Sequence, residues 1–147
     1  MTSIRENIAV DIVSTLEDYT SSVIQLKKVM RAPVDLSDLA RTVFPIAIVT
    51  TADEDREDIT MGGTSITRQG VITYWVDLHV WGEEQDKELN ELIELVEESL
   101  DVDRTRDNNA LDTRITMVRL LEPTSAAPRT SCRVNVEVEY IFTRGAA

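Results

Sequence analysis

The sequence predicts an α+β fold: a single domain with a largely antiparallel, mixed sheet and helices packed on one face. Three observations predict it. Apolar residues recur at helical spacing over residues 3–19 and 85–100, and they alternate with period two in "VITYWVDLHVW" and "VNVEVEYIF". No repeat, low-complexity tract or linker divides the 147 residues, so residues 1–147 form one domain. A chain of this length buries roughly 70% of its extended surface without disulfides or metals.

The elements follow in order. Ser3 with Glu6 three residues on forms a capping box, and Ile4, Ile8, Ile12, Leu16 and Tyr19 make one apolar stripe. "SVIQLKKVMRAP" reads as a strand ending before Pro33, and "DLSDLARTV" as a short helical turn or loop. "VFPIAIVTT" is a strand with Pro45 near its start, where a missing N–H is tolerated. The acidic "ADEDRED" and the following "MGG" are expected to be a loop. "TSITRQGVITYWVDLHVW" is expected to be a strand, a turn at Arg68–Gly70 and a second, long strand. After the helix at 85–100, "DVDRTRDNNALD" is a polar connection, "TRITMVRLL" a strand, "EPTSAAPR" a turn and "SCRVNVEVEYIFTR" the last strand. The expected order is α-β-β-β-β-α-β-β, or the same with one strand fewer.

Period two sorts the long strands into faces. Ile72, Tyr74, Val76, Leu78 and Val80 point one way, towards the helix stripe Leu89, Leu92, Ile93, Val96 and Leu100. Val134, Val136, Val138, Tyr140 and Phe142 repeat the design in the last strand. The other face carries Thr73, Trp75, Asp77, His79 and Trp81, and thus both tryptophans. Two readings stand. Either a loop or the sheet's curl covers the indoles, or Trp75, His79 and Trp81 belong to an oligomer interface, where aromatic residues and arginine are enriched.

Charge excludes several partners. With 27 acidic against 15 basic residues the net charge is −12, and the basic residues are scattered, so a DNA-binding groove is not expected. Eleven acids against three arginines or lysines between residues 83 and 107 account for −8 of that charge. Glutamates three or four apart on a helix repel by a few tenths of a kcal/mol per pair. Stability alone would favour Glu–Lys pairs there. Either this is simply a solvated face, or Glu91, Glu94 and Glu98 face a channel or a basic partner. No apolar run reaches membrane-spanning length, and "MTSIRENIAV" has no apolar core after a basic start, so neither membrane nor secretion is expected. A lone cysteine, Cys132, fits a reducing cytoplasm and a small buried side chain.

Catalytic chemistry finds little to work with. His79 is the single histidine, which leaves no His pair for a metal and suits packing. Gly62–Gly63 lacks the Lys-Ser/Thr and helix of a phosphate loop. "DEDRED" lacks the glycine and terminal glutamate of a calcium loop, and reads as a solvated tip. The expectation is a protein that is no enzyme and holds no cofactor or metal.

The order of elements resembles the tail-terminator (tail-completion) proteins of long-tailed bacteriophages. The likeness rests on the N-terminal amphipathic helix, on "VFPIAIV", and on "VITYWVDLHVWG" running into "DKELNELIELVEESL". The closing strand "VNVEVEYIF" completes it, so that it spans residues 3 to about 143. The segment "DVDRTRDNNALD" is extra relative to the simplest members. The resemblance implies a virion subunit, assembled in the host cytoplasm, that sits in the tail at the head–tail junction. It implies a hexameric ring that ends tube polymerisation and contacts the tail-tube protein and the head-completion or connector proteins. DNA passes through such a ring without specific binding. The alternatives are a ferredoxin-like oligomeric regulatory or ligand-binding domain, with Gly62–Gly63 as its ligand loop, or another head–tail connector or tail-tube subunit.

Overall fold

A computed structural model describes residues 3–19, 21–31, 41–59, 67–82, 85–121 and 129–143. Its order is α1 (Ile4–Asp18), β1 (Lys28–Met30), β2 (Ile46–Asp58), β3 (Thr67–Trp81), α2 (Gln85–Asp101), β4 (Asp112–Leu121) and β5 (Arg129–Thr143), with a 3-10 turn at Arg41–Val43. The strands form one sheet in the order β1-β2-β3-β5-β4. Only the β1–β2 pair is parallel; the other three are antiparallel. This is the α+β order with one strand fewer.

The two faces separate as alternation requires. Ile72, Tyr74, Val76, Leu78 and Val80 are fully buried, as are Val134, Val136, Val138 and Tyr140 opposite them on β5. They share one core cluster with Ile8, Ile12 and Leu16 of α1 and with Leu89, Leu92, Val96 and Leu100 of α2, so both helices lie on this inner face. Leu95 joins the α2 stripe, and Ile93 is only partly buried. The Ser3 hydroxyl caps α1 by accepting from the Glu6 N–H at 3.1 Å. The Glu6 carboxylate turns instead to Arg31, whose guanidinium holds it below the usual carboxylate range.

Three expectations fail, each for a physical reason. The strand expected from residue 22 shrinks to Lys28–Met30. Before it, Gln25 accepts from the Ser21 N–H at 3.0 Å and donates to the Tyr19 carbonyl, while the Ser21 hydroxyl accepts from the Val23 N–H. These local bonds compete with a ladder.

The acidic "ADEDRED" is strand, not loop: β2 continues to Asp58 after a bulge between Thr51 and Glu54. By register, Glu54, Arg56 and Asp58 point to the inner face, beside Ile72, Gly70 and Arg68. The Glu54 carboxylate is buried there, 2.8 Å from Arg5 Nε, paired with Arg56, and accepting from the Tyr140 hydroxyl at 2.8 Å. Burial and this carboxylate raise the Tyr140 phenol to about 12.

No turn interrupts Arg68–Gly70, because β3 is one continuous strand of 15 residues. Gly70 is required for a different reason. A Cβ there would lie 2.5 Å from Tyr140 Cε1 and 2.9 Å from Glu54 Oε2. The missing side chain makes room for the Tyr140 ring, which stacks on Phe142 at 5.2 Å between centroids. The "MGG" expectation, the part of "EPTSAAPR" before Arg129 and the part of "DLSDLARTV" before Arg41 fall outside the described residues, while Arg129 itself opens β5.

The polar connection after α2 is more ordered than its composition suggests. Arg106, Asp107 and Asn108 all adopt the left-handed region, at φ 48°, 56° and 65°. Aspartate and asparagine tolerate that conformation better than most residues. The turn buries Arg106 completely, 3.1 Å from Asp11 on α1, with Nη2 donating to the Leu100 and Asp103 carbonyls. It thereby ties the end of α2 to α1. Among the described residues, no helix is long and apolar enough to cross a membrane.

Candidate functional site

The outer sheet face, opposite the helices, carries the residues singled out from alternation. Trp75 lies between Thr50 of β2 and Asn135 of β5, and is half-buried. The Arg133 guanidinium sits over its ring at 3.8 Å from the centroid. Arg133 also grips Asp77 with two hydrogen bonds, of 2.8 and 3.1 Å, and that carboxylate raises its pKa. Trp75 therefore forms the floor of a fixed stack. An open groove of about 270 Å³ runs across it, bordered by Thr73, Asn135 and Arg119, with Asp53 on its β2 side.

His79 and Trp81 belong to a different part of the face. His79 is buried, its Nδ1 hydrogen-bonded to the Ser131 hydroxyl, and in register with Ile46. Trp81 packs its ring 5.8 Å from that of Phe44. Phe44, Ile46 and Ile48 are all buried here, outside the main core cluster. The sheet thus has a second, smaller apolar layer at the start of β2. His79 is buried in that layer, whereas Trp75 and Trp81 are both half-buried, Trp81 against Phe44 and Trp75 under Arg133.

Chemically, this face offers recognition. His79 meets a hydroxyl, as in a nucleophile–base pair, but the acid two residues along the same face, Asp77, has both oxygens engaged by Arg133. Cys132 is fully buried, and burial pushes its thiol up to about 11, which suppresses the thiolate. Among the described residues, no group of three His, Cys, Asp or Glu side chains is placed to hold a metal ion. Gly62–Gly63 lies outside them.

The three α2 acids do not act as a uniform strip. Glu91 is 3.9 Å from Lys87 one turn earlier, and Glu98 accepts from the Tyr19 hydroxyl at 3.2 Å. Glu94 is exposed and has no ion pair with a described residue. Like-charge repulsion is thus relieved at two of the three positions. Glu83 and Glu84 lie outside the described residues.

Two features escaped the sequence reading. The sequence places Glu54 in a solvated loop, whereas the structure buries its carboxylate on the inner face against Arg5, Arg56 and Tyr140. Arg119 stands directly opposite Arg133 in the β4–β5 register. Among the described residues its polar contact is the Met117 sulfur, at 3.9 Å, and no carboxylate pairs with it. Like charges opposed across strands are unfavourable. Asp77 offsets one of them and leaves Arg119 available. Only the register could have shown this. No protein-family model and no curated protein matches the chain.

Proposed function

We propose that this chain is a structural virion protein. It forms a ring that caps the tail tube of a long-tailed bacteriophage, ends tube polymerisation and joins the tail to head-completion proteins. It is not an enzyme and uses no cofactor. DNA passes through the ring without specific binding, and the surplus of negative charge disfavours retention of a polyanion on its wall.

The observation that carries this reading is the outer sheet face. Neither helix covers it, and it presents an indole clamped under an arginine, beside a second arginine with no acidic partner among the described residues. Aromatic residues and arginine are the side chains that dominate protein interfaces. The order of elements is also the one the resemblance implies, with the Phe-Pro strand, the long alternating strand and α2 all present in sequence.

The test is the mass and shape of the purified protein. Native mass spectrometry should give a six-copy assembly, and negative-stain images should show closed rings with a central opening. A monomer at tens of micromolar protein, alone and with tube protein added, would contradict the proposal.

A further inference from the structure

Among the described residues the sheet has two free edges of opposite charge, and we infer that they pair between copies, β4 of one chain against β2 of the next. This deepens the proposed function, on whose self-assembly it rests, by naming the surfaces that meet.

The first edge is β4, a strand of ten residues that among the described residues is paired only on its β5 side. It carries Arg114 and Arg119 against Asp112, with Met117, Val118 and Leu120 exposed between and beside them, Leu120 at 70%. The second edge is the far part of β2. β1 covers only Ile46–Ile48, so among the described residues 49–58 have no neighbour on that side. Five acids and a single arginine fill residues 53–58. Unpaired strand edges of this length invite another strand.

Charge selects which edges meet. Two β2 edges would oppose acid to acid, and two β4 edges would oppose arginine to arginine. The unlike pair is complementary, and its strand directions agree. Three antiparallel steps separate β2 from β4, so the two run in opposite directions. A neighbouring copy in the same orientation therefore continues the sheet antiparallel. Such a joint is head-to-tail, the kind that closes into a ring when its rotation permits.

A register follows from spacing. Arg114 and Arg119 stand opposite Glu137 and Arg133 of β5, four strand positions apart once the bulge between Ile115 and Met117 is passed. Asp53 and Glu57 are four residues apart on β2. Antiparallel pairing then sets Arg119 against Asp53, Met117 against Asp55 and Arg114 against Glu57 of the next copy.

The experiment uses the full chain and two variants, Arg119→Glu and the double variant Asp53→Arg/Asp55→Arg, all followed by sedimentation velocity. These side chains are exposed, so each variant should fold, and circular dichroism checks that it does. Each variant alone should assemble at least tenfold more weakly than the wild type. An equal mixture of the two should recover assembly, because alternating copies make every joint complementary. Met117→Cys and Asp55→Cys chains should form a disulfide-linked dimer on oxidation only when mixed. Wild-type assembly that neither variant weakens, or a mixture that fails to recover, overturns the edge pairing and leaves ring formation standing. A wild type that never assembles overturns both.

Discussion

Replacing Gly70 with alanine should destabilise the domain, and the reason is a neighbouring ring and not a turn. The added Cβ would sit 2.5 Å from Tyr140 Cε1, so the ring must move. Overpacking of this kind costs about 1–3 kcal/mol. Moving the ring also disturbs the hydrogen bond from Tyr140 to the buried Glu54 carboxylate, worth roughly another 1 kcal/mol. The expected loss is about 2–4 kcal/mol. For a domain of this size that is a fall in Tm of roughly 5–15 °C. Urea unfolding of four proteins separates the causes: wild type, Gly70→Ala, Tyr140→Leu and the double variant. The alanine penalty should shrink by more than half in the Tyr140→Leu background, since the obstructing ring is gone. An undiminished penalty in that background would refute the packing account and favour a backbone requirement at residue 70.

Arg106→Met should cost about 2–4 kcal/mol in urea unfolding, because it strands the partly buried Asp11 carboxylate against α1; a change under 0.5 kcal/mol would mean the turn is not clipped to the helix. Cys132 should resist alkylation in the native protein up to pH 9, with its thiol near 11 and fully buried, and react at once in denaturant; rapid native labelling at pH 8 would contradict that placement. Trp75→Ala should leave the monomer folded and weaken assembly roughly 30-fold, as for an aromatic hot spot. Trp81→Asp should instead lower the Tm of the monomer itself, because it sets a charge against Phe44; scanning calorimetry and light scattering distinguish the two behaviours.

Where a residue's partner lies nearby in period, the sequence was readable. Alternation placed Ile72, Tyr74, Val76, Leu78 and Val80 of β3 and Val134, Val136, Val138, Tyr140 and Phe142 of β5, and helical spacing placed most of the α2 stripe, because both follow from burial of one face. What failed depended on partners distant in sequence. Glu54 looked solvated because charge predicts water, whereas Arg5 lies 49 positions earlier and Tyr140 86 later. Gly70 looked like a turn because glycine usually marks one, and the ring that requires it belongs to a strand 70 residues on. The Trp face was correctly separated from the core, but alternation cannot tell that Trp75 lies under Arg133 while Trp81 meets Phe44. Arg106 was hidden for a similar reason: its neighbours are all polar, and its burial depends on three successive left-handed residues.

The measurement closest to the central claim is the length of tail tubes polymerised with and without this protein. Purified tube subunits from the same phage should elongate indefinitely alone. With the protein added, growth should stop, and electron microscopy should show a ring at one end of each finished tube. Tubes that keep growing past a bound ring, or that never bind it, would contradict the account.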